Sequence, residues 1–87
     1  MVSGDVQGVG FRFFAQRAAG QSRVAGYVRN RRDGRVEAYA IGTGEQLAAF
    51  RAMLEKGPRG SQVSHVDEEP APVDETYANG FAIANTV

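Results

Sequence analysis

The chain has 87 residues, room for one small domain, and ten Lys+Arg balance ten Asp+Glu for a formal charge of zero. A neutral total weighs against a general nucleic-acid or membrane-surface binder. The absence of cysteine excludes disulfides, a thiolate nucleophile and a Cys-ligated metal.

The balance hides a segregation. Positions 1–60 hold all ten basic residues and five acids, while positions 61–87 hold the other five acids and no base. A local anion site in the first part therefore stays open. The single histidine, His65, makes a His-rich metal site improbable. No apolar run approaches the roughly 20 residues of a membrane span, and no signal peptide is recognisable. These features point to the cytoplasm.

In chain order, Met1–Gly4 reads as the tail of a strand. Gly4–Gly10 holds three glycines in seven residues, a loop able to adopt positive φ. Phe11, Phe14, Ala15 and Ala18 then fall on one helical stripe, with Gly20 as a stop signal. Arg23–Asn30 reads as a strand, Arg31–Gly34 as a turn with an Asp-Gly hairpin signal, and Arg35–Gly42 as the returning strand. In that strand Val36, Ala38 and Ala40 face one way and Glu37, Tyr39 and Ile41 the other. Thr43 and Gln46 match a capping box ahead of a second helix, whose stripe is Leu47, Phe50 and Leu54 and which ends at Gly57-Pro58. Ser61–Glu69 reads as a strand, Pro70–Asn79 as an acidic connection, and Gly80–Ala84 as a short final strand. This βαββαβ order with an added strand predicts an α+β, ferredoxin-like split βαβ sandwich: an antiparallel sheet with two helices on one face.

The chemistry concentrates in Gly4–Arg12. A glycine-rich loop entering a helix can present free amides to an oxyanion. A cation in the first helical turn opposes the dipole, so Arg12 needs another reason to be there. A guanidinium beside an amide nest can grip phosphate oxygens. The bland alternative, a tight turn with a solvated arginine, weighs about equally on spacing alone. Asn30, at a strand end, is by itself an ordinary turn former. Arg29, Arg31 and Arg32 read as a solvated hairpin end that could also add positive potential. Asp67-Glu68-Glu69 reads as a solvated strand end rather than a cation site. Tyr27 and Tyr39 raise the thought of base stacking on a sheet, but the matching RNA-binding signature is absent.

Gly4-Asp5-Val6-Gln7-Gly8-Val9-Gly10-Phe11-Arg12 resembles the first acylphosphatase signature. Gly26-Tyr27-Val28-Arg29-Asn30 followed by Gly34-Arg35-Val36-Glu37 and Gly42 resembles the second. The likeness runs through nearly the whole chain. It implies the ferredoxin-like fold and hydrolysis of the carboxyl–phosphate bond of acyl phosphates, with no metal or other cofactor. It implies a phosphate cradle of backbone amides from Asp5, Val6, Gln7, Gly8, Val9, Gly10 and Phe11, with Arg12 binding the phosphoryl oxygens and Asn30 orienting the attacking water. The expected partners are a small acyl phosphate and inorganic phosphate, with no nucleic acid and no membrane. The expected state is a monomer, with a strand-exchanged dimer as the variant. Asp5 would repel a dianion unless its carboxylate points away. The resemblance also leads us to expect residues 1–87 to form a single domain whose first strand is several residues short. A non-catalytic, regulatory anion-binding domain of the same fold is the rival reading.

Overall fold

The computed structural model describes all 87 residues. The elements are β1 (Val2–Asp5), α1 (Phe11–Ser22), β2 (Ala25–Asn30), β3 (Val36–Ile41), α2 (Gly44–Lys56), β4 (Gln62–Val66), a 3₁₀ turn (Glu75–Tyr77) and β5 (Phe81–Ile83). The sheet order is β4-β1-β3-β2-β5. Four of the strands pair antiparallel, whereas β5 runs parallel to β2, with Gly26 opposite Phe81. The antiparallel expectation therefore holds for the βαββαβ part and not for the added strand. The long connection after β4 returns the chain to the same end of the sheet from which β2 starts.

One face of the sheet is buried under both helices. Val2, Val28 and Val36 from the strands join Phe11, Ala15, Ala18 and Ala19 of α1 and Phe50 and Leu54 of α2 in a single core. The alternation of β3 is as read: Val36 is buried, and Ala38 and Ala40 lie against the core. Large side chains are few, so alanines on α1 carry much of the contact. They let the helix approach closely, at the cost of burying little area per residue.

The helix ends test the local signals. Thr43 Oγ1 accepts from the Gln46 N–H and Gln46 Oε1 accepts from the Thr43 N–H, the reciprocal pair expected of a capping box. Gly57 closes α2, its N–H bonded to the Met53 carbonyl. Gly20 does not stop α1, which continues two residues to Ser22 and ends on Arg23 at φ 61°. The reason is tertiary: Ser22 is buried, and a stop at Gly20 would withdraw it from the core.

Gly26 is a glycine the sheet cannot do without. It lies at φ 140°, and a Cβ there would sit 1.8 Å from the Tyr39 carbonyl oxygen on β3. The Asp33-Gly34 turn then sets β2 against β3 over six residue pairs, from Ala25 opposite Ile41 to Asn30 opposite Val36.

The first strand is paired unevenly. Against β4 it pairs at four positions, but against β3 only at Val2, opposite Val36. The Arg31 N–H bonds to the Arg35 carbonyl, so by alternation Glu37 and Tyr39 bond toward β2, while the backbone groups of Ala38 and Ala40 face the β1 side. No strand lies beside those two residues. A cavity of about 840 Å³ occupies that place, bounded by Ala38, Ala40, Leu47, Phe50, Leu54 and the segment after Val66.

Candidate active site

The loop between β1 and α1 is shaped by its apolar side chains. Val6 and Phe11 are buried and Val9 packs on the core. With those three side chains turned inward, the backbone between them is left at the surface. Gly8 and Gly10 both take φ 76°, the left-handed conformation that folds successive amides toward one centre. None of the five backbone N–H groups from Val6 to Gly10 donates a hydrogen bond to a protein acceptor. The amino end of α1 follows directly, and its first N–H groups also lack intrahelical partners. Gly10 caps that helix without any side-chain hydrogen bond. An unpaired run of donors with the helix dipole behind it is suited to an oxyanion.

Arg12 stands in the first turn of α1, half-exposed, and makes neither an ion pair nor a hydrogen bond within the protein. Asn30 is the last residue of β2, half-exposed; its carbonyl accepts from the Val87 N–H at 3.1 Å and its side chain is free of protein partners. Asp5 ends β1 opposite Gln62, is exposed, and has no cationic partner. The loop and the hairpin that carries Asn30 meet through Gln7. Its Nε2 donates to the carbonyls of Arg31 at 2.6 Å and Arg35 at 2.9 Å.

The hairpin arginines differ from the expected solvated end. Arg29 and Arg31 both grip Glu37, at 2.8 and 2.7 Å, and Tyr27 Oη donates to the same carboxylate at 2.6 Å. The register explains this, because Arg29 is directly opposite Glu37. Burial alone would raise the Glu37 carboxyl, but hydrogen bonds from Tyr27 and Arg31 and the charge of Arg29 bring it below its ordinary value. The Tyr27 hydroxyl, desolvated and tied to that carboxylate, is pushed up to about 12. Arg32 stays exposed. The sequence signal for the Glu37 cluster was present in the hairpin spacing, since a short turn fixes which residues face each other.

The other candidates have local partners. His65 Nε2 lies 2.8 Å from Asp67, and Arg51 pairs with Glu68 at 2.7 Å, so the acidic strand end is engaged in surface pairs. Tyr27 and Tyr39 stack with Tyr77 on the sheet face away from the helices, with ring centroids of Tyr27 and Tyr77 4.7 Å apart. Tyr39 Oη donates to the Pro72 carbonyl and accepts from the Asp74 N–H. The chain's own segment thus covers the aromatic pair that suggested base stacking. The large cavity contains neither Arg12, Asn30 nor the loop; it is a gap in the sheet, whereas an amide cradle is open at the surface.

Residues 1–83 match the acylphosphatase family model. An acylphosphatase of Koribacter versatilis (strain Ellin345) is 49% identical over 86 residues, covering 99% of this chain and 77% of the relative. The crystal structure of acylphosphatase from Bacillus subtilis superposes with a TM-score of 0.88 at 38% identity, covering 95% of this chain and 91% of that one. Full-length HypF, solved in a phosphate- and nucleotide-bound form, contains a similar unit: TM-score 0.87 at 26% identity, over 98% of this chain but 11% of HypF.

Proposed function

This chain belongs to the acylphosphatase family, and on that premise we propose that the loop Asp5–Phe11 and Arg12 hold the phosphoryl group of an acyl phosphate while Asn30 orients the water that attacks it. The observation that carries the reading is the run of unpaired N–H groups from Val6 to Gly10 beside an arginine with no carboxylate partner. In the reaction the water oxygen forms a bond to phosphorus. The bond from phosphorus to the acyl oxygen breaks, and its electron pair leaves on the carboxylate. The protons of the water end on phosphate and solvent.

A carboxylate leaves without needing a proton, so the site requires no general acid. Its task is to hold three phosphoryl oxygens, offset their charge and place water in line. Amides pre-aimed by Val6, Val9 and Phe11 do this without reorganising. Arg12 adds full charge where the helix start supplies a partial one. Asp5 is exposed, so solvent screens its carboxylate from a bound dianion. The single chain carries every group of this scheme, which supports one catalytic domain able to act as a monomer. The neutral total charge supports small acyl phosphates rather than nucleic acid as partners. The likeness over most of the length of acylphosphatases favours an enzyme over the regulatory alternative.

The test is hydrolysis of benzoyl phosphate in EDTA by the wild type, Arg12→Ala and Asn30→Ala. Arg12→Ala should lose both turnover and inhibition by inorganic phosphate. Asn30→Ala should lose turnover and keep phosphate inhibition. Equal loss of phosphate affinity in both variants would refute the division of roles, and a folded wild type without turnover would leave a binding module.

A further inference from the structure

We propose that the side chain of Gln7 is a positioning residue that fixes the distance between the phosphate cradle and Asn30. The proposal rests on the roles assigned above to the loop and to Asn30.

The two halves of the site come from distant parts of the chain. The cradle is a loop whose N–H groups from Val6 to Gly10 donate to no protein acceptor, so those groups do not hold it at a set distance from Asn30. Asn30 sits on a hairpin that is well fixed. Its strands pair over six positions, the Arg31 N–H closes on the Arg35 carbonyl at 2.8 Å, and Glu37 clamps Arg29 and Arg31. Only one residue joins the two halves by hydrogen bonds. The Gln7 amide spends both its protons, one on the Arg31 carbonyl and one on the Arg35 carbonyl. Arg31 directly follows Asn30, and Gln7 lies in the middle of the cradle. The tie therefore spans the gap between bound phosphorus and the oriented water.

The residue type matches the task. Two carbonyl acceptors on neighbouring strands need a planar group with two divergent N–H donors and no charge to disturb a bound anion. Asparagine offers the same donors on a shorter stem, and glutamate at neutral pH offers none. The carbonyls of Arg31 and Arg35 flank the hairpin turn, so losing the tie frees the loop without dismantling the β2–β3 ladder.

The experiment compares Gln7→Met, Asn30→Ala and the double variant with the wild type, using benzoyl phosphate turnover, inhibition by inorganic phosphate, and melting temperature. Gln7→Asn, which keeps the polarity and shortens the reach, serves as the second single variant should the methionine protein fold poorly. The expected result is a kcat lowered by roughly ten- to a hundredfold, the range for a misplacement of about 1 Å, with KM and phosphate inhibition changed far less. The double variant should be no slower than Asn30→Ala by more than about twofold, because the two residues act on one step. Unchanged kcat in both Gln7 variants would overturn the proposal. So would losses that multiply in the double variant, since a general effect on loop folding adds independently of Asn30. If Asn30→Ala were as fast as the wild type, the role of Asn30 would fall and this proposal with it. A slow Asn30→Ala beside a fully active Gln7→Met would sink the positioning role alone.

Discussion

A strand segment fused ahead of Met1, about six residues long with apolar side chains at alternate positions, should fill the groove beside β3 and raise the melting temperature. The structure fixes its register. The Met1 N–H and carbonyl both bond to Asp67 at 2.9 Å, so Val2 faces β3 and the residue two ahead of Val2 would face Ala38. The residue four ahead would face Ala40. Those two positions share the pleat face of Val2, over Leu47, Phe50 and Leu54.

Burying two branched aliphatic side chains there contributes about 1.5–3 kcal/mol each. The four ladder bonds, to the N–H and the carbonyl of both Ala38 and Ala40, add about 0.5–1.5 kcal/mol apiece. Ordering the four residues that enter the groove costs about 1–2 kcal/mol each, with a little more for the side chains. The balance is a gain of about 2 kcal/mol, or roughly 8–16 °C in a domain of this size. Differential scanning calorimetry measures it. A Gly/Ser extension of equal length is the control, and amide exchange at Ala38 and Ala40 reports whether the strand has seated. An apolar extension that melts with the Gly/Ser control, or that leaves those two amides unprotected, would refute the reasoning.

Two further outcomes follow from single contacts. Gly26→Ala drives a methyl into the Tyr39 carbonyl at φ 140°; it should cost more than about 3 kcal/mol and remove most folded protein, read by circular dichroism. The depressed Glu37 carboxyl favours the ionised form in the folded state. Its stabilisation is therefore present above its ordinary value of 4.5 and is lost as pH falls through its folded value. Melting temperature should drop on acidification below about pH 4.5, and Glu37→Gln should flatten that limb. Asp33, held at about 2 by Arg35, contributes in the same direction and stays in place as the internal comparison. At the other end, Tyr27 should ionise near 12 by ultraviolet titration, and its bond to Glu37 should be lost as pH rises through that value.

Most of the architecture was legible in the residues because its signals are local. A capping box, a Gly-Pro stop, an Asp-Gly turn and the period-two pattern of β3 each act within a few positions of the chain. The glycine-rich turn into α1 was legible for the same reason: glycines at 8 and 10 followed by a helical stripe mark the turn and the helix start. The misses share an opposite cause. Gly20 reads as a stop, yet burial of Ser22 keeps the helix going. Arg29 and Arg31 read as solvated, yet pairing across the hairpin gives them Glu37.

Gln7 shows the division most clearly. The sequence by itself determined that a glutamine stands in a glycine-rich loop ahead of a helix. Only the tertiary structure decided where its side chain goes, because the two carbonyls that hold it lie 24 and 28 residues away. Hydrophobic periodicity and turn chemistry select elements. Contacts between elements depend on how the core brings them together, and no local pattern carries that information. The same holds for the uneven pairing of β1. A short first strand was expected from the resemblance, but that Ala38 and Ala40 are the residues left facing an open groove follows from the register, which pairs β1 with β3 only at Val2.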